Sequence, residues 1–313
     1  MTITKAISNA ARRVNSRKRM LVLYWFTQIV LAALAAIPLL GVAVPMLAHS
    51  GYASELLKQF DVMFLMEAMQ SHPGVAGAVF SAYPLILFMT ITGGVFLAGG
   101  AVKLMVNDAT VYSPREFWSG CGEYFWRFFR LMIYSLLFYG IASALSGGVK
   151  KAADKIWGEG LEGAPIVMAT WAANALLIFL CGIVSTAMDY AKVRLVTDES
   201  RKSLRACFGS LWLVLRNPRV VGAWLVRAFI GVLFTLLYQP VANNVLATTM
   251  PLIVLLAVWQ QVYILARVWL RFLSWGTAAE FDPVLRPKPL PPEEFVPVTE
   301  VITVPDATED FAI

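Results

Sequence analysis

Charged side chains are scarce in this 313-residue chain, and their scarcity excludes an ordinary soluble domain. Asp, Glu, Lys and Arg make up only 15% of the residues, whereas soluble domains carry about 25%. Hydrophobic residues make up 58%, more than a soluble core of this length needs. They form long runs, and a run of about 20 residues crosses a hydrocarbon layer of about 30 Å. The composition therefore predicts a polytopic membrane protein.

Cysteine and histidine are also scarce, which argues against a disulfide framework and a metal site. We expect the three cysteines, Cys121, Cys181 and Cys207, to be small buried side chains. Both histidines, His49 and His72, lie far from any Cys or carboxylate pair with ligand spacing. The sequence contains no H-E-x-x-H, G-x-x-x-x-G-K-[ST] or G-x-S-x-G motif. We therefore predict a non-enzymatic protein with no cofactor, no metal and no nucleic-acid partner.

Six apolar runs are long enough to be transmembrane helices. They cover roughly residues 21–46, 76–105, 128–148, 165–190, 220–243 and 250–274. Lys and Arg are concentrated in the N-terminus and in the second and fourth connections between these runs. Cytoplasmic segments of membrane proteins carry such an excess of basic residues. This bias predicts a bacterial inner-membrane protein whose N-terminus and C-terminus are both cytoplasmic.

The stretch CFGSLWLVLR, residues 207–216, lies between the fourth and fifth runs and is too short to cross a bilayer. From Ser203 onward, apolar residues recur at helical steps on one side. The basic residues Arg201, Lys202 and Arg205 lie mostly elsewhere. This pattern is typical of an amphipathic helix in the headgroup plane.

A second stretch, CGEYFWRFFR at residues 121–130, aligns with the first without gaps. Cysteine, tryptophan and arginine recur at the same positions of the two stretches. The segment SPRE, residues 113–116, precedes it and is a capping box with proline in the first turn, which predicts a separate surface helix. Residues 1–20 form a fainter, basic third copy. We therefore predict an all-α fold with six transmembrane helices in three hairpins, each preceded by a cytoplasmic amphipathic helix.

Polar side chains inside the apolar runs are costly in lipid and are candidate site residues. They are Asp189, Arg227, Gln260, Gln261 and Arg267. Asp189 could pair with Arg227 or with Arg267. Two interpretations stay open: a structural clamp or snorkelling side chains, and a substrate or ion site in a permease or transporter subunit.

Basic residues of the predicted amphipathic helices are candidate contacts for anionic lipid headgroups. They are Arg127, Arg130, Arg201, Lys202, Arg205 and Arg216. The bilayer itself is thus the first predicted partner. The leading functional prediction is a protein that organises or senses the membrane, or an accessory or scaffold subunit. The alternative is the permease or transporter subunit.

Residues 282–313 differ in composition from the rest of the chain, because proline and acidic residues are concentrated there. Such a segment is expected to be a disordered cytoplasmic tail. Its apolar stretch FVPVTEVITV could instead bind a protein partner as an added strand. The sequence thus divides into a basic amphipathic segment at 1–20, a six-span membrane domain at 21–281 and a tail at 282–313.

Residues 187–218, AMDYAKVRLVTDESRKSLRACFGSLWLVLRNP, resemble a segment of bacterial six-helix membrane proteins of unknown function. They are also similar to the membrane domain found beside glycerophosphodiester phosphodiesterases. In those proteins a span ends in Asp, basic residues and a charged turn follow, and a helix then closes on Arg and Pro. The matching residues here are Asp189, Lys192, Arg194, Asp198, Arg205, Arg216 and Pro218. No phosphodiesterase domain is present in the chain, so the resemblance implies a topology and no activity.

Overall fold

A computed structural model describes most of the chain, and the described part is built from eight α-helices. The described residues are 2–48, 63, 66, 73–107, 112–157, 164–199, 202–245 and 249–286. The helices are α1 (Ile3–Asn15), α2 (Lys18–Ala48), α3 (Pro73–Val106), α4 (Pro114–Trp157), α5 (Ala164–Thr197), α6 (Ser203–Arg216), α7 (Pro218–Asn244) and α8 (Met250–Leu285).

Six of these helices, α2 to α5 with α7 and α8, are long and apolar enough to cross a membrane. Within the described residues, the spanning segments are Lys18–Ile37, Ser81–Val106, Pro114–Ala153, Val167–Thr197, Pro218–Asn244 and Met250–Leu285. The predicted number of spans and the all-helical, multi-pass membrane class are therefore confirmed. Helices α5 and α8 extend beyond the predicted spans, and Arg194 in the extension of α5 pairs with Asp282 in the extension of α8.

The predicted separate surface helix before the third span is wrong. Residues 114–157 form one continuous helix, α4, since the chain between Arg130 and Met132 contains no residue that breaks a helix. At the corresponding place after α6, Asn217 is extended and Pro218 begins α7. Proline disfavours helical backbone in the residue before it and lacks the N–H that would continue the helix. Pro218 therefore separates α6 from α7. The corresponding part of α4 has no proline, and α4 is one continuous helix.

Five helices form a ring, within which α3 also contacts α5 and α8. Contacts run from α2 to α3, from α3 to α4, from α4 to α5, from α5 to α8 and from α8 back to α2. Helix α7 packs outside the ring against α8, α1 lies across α8 and α7, and α6 lies across α5, α4 and α7. The ring has an interior, and that interior holds the candidate site.

Burial is concentrated at one end of the helices, which we call the basic end because most described Lys and Arg residues lie there. The basic end comprises residues 2–21, 97–107, 112–131, 182–199, 202–223 and 268–286. The remaining described parts of the helices form the apolar end. In that end the buried residues, among those described, are Ala142, Ser146, Ala153 and Ala173. The folded core therefore belongs to the basic end.

Small residues bring the helices of the basic end together. A Cβ added at Gly100 of α3 would lie 2.3 Å from the carbonyl oxygen of Phe117 and 2.7 Å from the Cys121 Sγ of α4. A Cβ at Gly182 of α5 would lie 2.0 Å from the indole of Trp224. Close backbone approach through small residues is a main source of helix association in lipid.

Helix α1 is docked on the protein through its apolar face. Its buried residues are Ala6, Ala10 and Val14, and Ala10 lies beside Gly276 of α8. Arg13 donates to the carbonyl oxygen of Met105 at 2.9 Å and to Glu280 at 2.5 Å. The apolar side of this predicted amphipathic segment thus contacts α8, and its arginine joins α8 to the end of α3.

The predicted start of the tail at Asp282 is wrong by several residues, since α8 continues to Leu285 with Pro283 inside it. Asp282 is buried, and it accepts from Arg194 at 3.1 Å and from Arg286 at 2.9 Å, which offsets the cost of burying its charge. These bonds fix the last turn of α8. Residues 287–313 lie outside the described part of the chain, so the disordered tail and its protein partner stay predictions.

Candidate functional site

The centre of the candidate site is Asp189, a fully buried carboxylate on α5. Two side chains of α8 donate to it: the Ser274 hydroxyl to Oδ2 at 2.5 Å and the Trp275 indole N–H to Oδ1 at 3.0 Å. Ser274 and Trp275 are themselves buried. Asp189 is thus held in one position by two buried neighbours on α8.

Three cations surround this carboxylate. The Arg271 Nη2 lies 3.2 Å from Asp189 Oδ1, the Arg227 Nη1 lies 3.8 Å from Oδ2, and the Lys192 Nζ lies 3.9 Å from Oδ1. Lys192 and Arg271 also lie against the Trp275 ring, at 5.6 and 5.2 Å from its centroid. One carboxylate therefore faces three cations, and the cluster carries an excess of positive charge.

The structure brings together only part of the predicted polar cluster. Asp189 and Arg227 are neighbours, as one of the two suggested pairings required. Gln261 accepts instead from the indole of Trp25 at 3.2 Å. Gln260 is exposed. The guanidinium of Arg267 is also exposed and lies 5.9 Å from the Tyr263 ring.

The predicted cluster of all five residues is therefore wrong in its membership. The remaining members of the observed cluster are Lys192, Arg271, Ser274 and Trp275. Arg271 lies one helical turn beyond Arg267, toward the basic end, and takes the place expected for Arg267. Lys192 could have been found from its spacing, because residues three apart share a helix face.

A cavity of about 360 Å³ lies inside the helix ring beside this cluster, and we call it the ring cavity. Lys192, Arg271 and Trp275 line it at the basic end. Hydroxyl and amide side chains also line the wall. They are Tyr24, Gln28, Thr90, Ser135, Tyr139 and Ser185. The lining on α4 runs from Phe128 to Tyr139, or about 16 Å at 1.5 Å per residue.

A second cavity of about 330 Å³, which we call the basic cleft, lies at the surface of the basic end between α5, α6 and the end of α8. The lining residues are Arg194, Asp198, Lys202, Arg205, Ala206, Gly209 and Arg286. Four of them are cations and one is a carboxylate. Arg286 forms a bidentate contact with Asp198, at 2.9 and 3.2 Å.

The internal bonds of the basic cleft keep the Arg286 guanidinium charged. Burial would lower the pKa of the Arg286 guanidinium, but its bonds to Asp198 and Asp282 outweigh burial and raise that pKa above its ordinary value. Arg205, by contrast, is exposed at the wall of the cleft. The cleft is thus a fixed, positively charged surface.

The predicted headgroup contacts are distributed over the basic end. Lys202 and Arg205 line the basic cleft, while Arg130 and Arg216 are exposed outside it. Arg127 is half-buried and lies 5.1 Å from the Tyr124 ring. The remaining predicted contact, Arg201, lies outside the described residues.

Helix α6 exposes one set of side chains and buries another. Leu204, Phe208, Trp212 and Leu215 are between 52% and 66% exposed. The opposite side, with Ser203, Cys207 and Ser210, is packed against the protein. Burial raises the pKa of the Cys207 thiol to about 11, which keeps this thiol protonated and unreactive at neutral pH.

Neither a metal site among the described residues nor a related protein of known function is found for this chain. Across the described ranges, no three His, Cys, Asp or Glu side chains cluster as metal ligands would. In comparisons with known proteins, no family model, curated protein or solved structure matches this chain. The resemblance to the membrane domain beside glycerophosphodiester phosphodiesterases therefore stays a prediction.

Proposed function

We propose that this chain is a non-enzymatic membrane protein that binds anionic lipid headgroups at its basic end and so senses or organises that leaflet. The observation that carries the proposal is the basic cleft, where four cations line about 330 Å³. Arg194 and Arg286 pair with the carboxylates of Asp198 and Asp282, and Lys202 and Arg205 add two further positive charges to the wall. Arg and Lys side chains bind phosphate groups through charge-assisted hydrogen bonds. A cleft with this charge balance suits the phosphate of a lipid headgroup.

Helix α6 supports this proposal because it supplies apolar contact beside the charged cleft. Its exposed residues Leu204, Phe208, Trp212 and Leu215 form a stripe along the helix. In water such a stripe would be unfavourable, whereas at the acyl boundary of a bilayer it would be buried. A headgroup in the basic cleft would then have its acyl chains beside α6.

The proposal includes the topology predicted from the sequence: a bacterial inner membrane, both termini cytoplasmic, and three hairpins each introduced by a basic amphipathic segment. The burial pattern supports the repeat. Cys121 and Cys207 are both buried at 0–1% exposure, while Trp126 and Trp212 are both 66% exposed. The aligned stretches thus present the same positions to the protein and to the outside, although one is continuous with its span.

Lipid retention tests the proposal. The double variant Lys202→Gln/Arg205→Gln removes two cations from the cleft wall, and Lys150→Gln/Lys151→Gln removes two cations from the apolar end. After purification in mild detergent, retained phospholipids are separated and quantified. We expect the cleft variant to retain fewer anionic lipids than the wild type and the control to match the wild type. Equal retention by the two double variants would contradict the proposal.

A permease or transporter subunit is the second candidate function, and the ring cavity beside Asp189 favours it. A transport site must open to both sides of the membrane in turn. Gly94 lines the cavity and has space for a side chain, so Gly94→Cys is a suitable probe. Labelling of this cysteine by membrane-impermeant reagents from both sides of oriented vesicles would favour a permease. Labelling from one side only would count against it.

A further inference from the structure

The ring cavity has an electrostatic property that neither candidate function uses. Lys192, Arg227 and Arg271 each pair with Asp189, and among the described residues no second carboxylate lies within 4 Å of these cations. The cluster thus carries about two positive charges more than it can neutralise. A net charge held among buried side chains is costly unless a counter-ion reaches it.

Two of the three cations face the cavity with free donor capacity. Lys192 and Arg271 line the cavity wall, and their side chains are 17% and 40% exposed. Each lies near Asp189 and the Trp275 ring, but within the described part of the chain neither side chain donates a hydrogen bond. Both cations therefore line the cavity with donor groups that Asp189 does not fully occupy.

The two cations are also fixed in position before any ligand arrives. The buried Trp275 indole lies against both of them and donates to Asp189, which in turn attracts both. Preorganised donors lose little entropy on binding. Further along the wall, the hydroxyl groups of Tyr24 and Tyr139 could meet the outer oxygens of a ligand.

From these observations we infer that the ring cavity binds a phosphate monoester, with its phosphate group between Lys192 and Arg271. A phosphate monoester carries about two negative charges at neutral pH, which matches the excess charge of the cluster. A cavity of about 360 Å³ is within the range of small-molecule sites, about 300–1,000 Å³. The ligand is either a soluble phosphate compound or a lipid whose headgroup is a phosphate monoester, and the chemistry is common to both.

This inference goes beyond both candidate functions, because a sensor and a permease could each use such a site. It is also independent of the basic cleft, which lies at the surface of the basic end and shares no lining residue with the ring cavity. The cleft variant Lys202→Gln/Arg205→Gln is therefore expected to keep cavity binding. A failure of headgroup retention at the cleft and a failure of cavity binding can thus be told apart.

Calorimetric titration of the full-length protein in a non-ionic detergent tests the inference. The probes are inorganic phosphate and a short-chain phosphatidic acid, with phosphatidylcholine of the same chain length as the control ligand. We expect at least one of the two phosphate probes to bind and the control lipid not to bind. Binding of the lipid alone would assign the site to a headgroup, and binding of both probes would assign it to soluble phosphate compounds as well. Binding of neither would overturn the inference.

Matched variants assign any binding to the cavity. Arg271→Gln removes a cation from the cavity wall, and Arg130→Gln removes an exposed cation elsewhere in the basic end. Loss of a charge-assisted contact weakens binding about tenfold or more. We expect that loss for Arg271→Gln and none for Arg130→Gln. Equal affinity of the two variants would overturn the inference.

A second pair of variants leaves every charge in place. Gly94 lines the ring cavity and Gly93 does not. A Cβ added at either position meets no atom within 4 Å, and leucine is a better helix former than glycine. Both leucine variants should therefore fold. We expect Gly94→Leu to fill the cavity and abolish phosphate binding, and Gly93→Leu to bind as the wild type does. If Gly94→Leu bound phosphate as tightly as the wild type, the ring cavity would not be the phosphate site.

Discussion

The two ends of this molecule are built on different principles. The basic end buries large side chains such as Trp275, Phe117, Phe128 and Phe272, and it contains the ion pairs around Asp189 and Asp282. The apolar end buries only four small or hydroxyl side chains among the described residues. Leu236, Leu237 and Phe229 of α7, by contrast, are between 58% and 69% exposed.

This difference shows where the helices are held together. In a bilayer, apolar side chains gain little by leaving lipid for another helix, so association depends on close packing and polar contacts. The basic end has both, whereas the apolar end presents leucine and phenylalanine to the surroundings. We therefore expect mutations in the basic end to lower stability and matched mutations in the apolar end to have little effect.

Removal of the central carboxylate should have the largest effect. Asp189→Ala leaves Lys192, Arg227 and Arg271 without their shared counter-ion. Removing one partner of a buried ion pair costs about 3–5 kcal/mol, because the other charge is left uncompensated. We expect a loss of that order in the free energy of unfolding, measured by titration with SDS in mixed micelles.

The double variant Asp189→Ala/Arg271→Gln provides the control for this first prediction. Removing one cation together with the carboxylate should restore part of the lost stability, because less charge remains uncompensated. If the double variant lost as much stability as Asp189→Ala and Arg271→Gln together, Asp189 and Arg271 would not interact. The cluster would then not stabilise the basic end.

A matched pair of leucines on α4 tests the contrast between the two ends most directly. Leu131 in the basic end is 1% exposed, and Leu136 in the apolar end is 61% exposed. Truncation of a buried leucine to alanine costs about 2–5 kcal/mol. We expect Leu131→Ala to lose about 2 kcal/mol or more of unfolding free energy in the same assay. Leu136→Ala should lose less than about 0.5 kcal/mol, and similar losses at both sites would refute the contrast.

The close approach of α3 and α4 should show a somewhat smaller effect. A Cβ at Gly100 meets backbone and the Cys121 sulfur, so Gly100→Val forces the two helices apart. Overpacking of this kind costs about 1–3 kcal/mol. The control is Gly140→Val on α4, where an added Cβ meets nothing within 4 Å. A wild-type melting temperature for Gly100→Val, measured by the loss of monodisperse protein on heating, would show that this contact is not limiting.

The sequence was sufficient to predict the general architecture of this protein. Long apolar runs predicted six spans because a hydrocarbon layer sets a minimum helix length. The costly placement of Asp189 and Arg227 within such runs predicted that they would need partners. Asp189 does have Arg227 beside it, at 3.8 Å. These inferences succeed because each depends on one residue or one segment at a time.

The choice of Arg267 as a partner failed because the end of α8 was misjudged. The predicted span ended near residue 274, which placed Arg271 within one turn of its end and Arg267 about two turns inside it. In the structure Gly276 is the contact point for Ala10 of α1, and Asp282 is held by Arg194. The helix therefore continues to Leu285, and Arg271 lies at the level of Asp189. Contacts between distant segments decided this point, and no local pattern contains them.

The smallest expected effect concerns a polar contact of the apolar end. Ser146 of α4 is buried and donates from its hydroxyl to the carbonyl oxygen of Ala173 on α5 at 2.8 Å. Hydrogen bonds between transmembrane helices contribute about 0.6 kcal/mol on average. We expect Ser146→Ala to lose about that much unfolding free energy in the SDS titration, because alanine keeps the close packing and removes only the bond.

Ser146→Leu separates packing from hydrogen bonding at the same position. Ala142, one turn away on α4, and Ala173 are both buried, so small residues occupy this contact on both helices. A leucine at Ser146 should push α4 and α5 apart and cost more than alanine does. If leucine were tolerated as well as alanine, the helices of the apolar end would separate freely in lipid. The basic end alone would then hold the bundle together, and the contrast between the two ends would be even sharper.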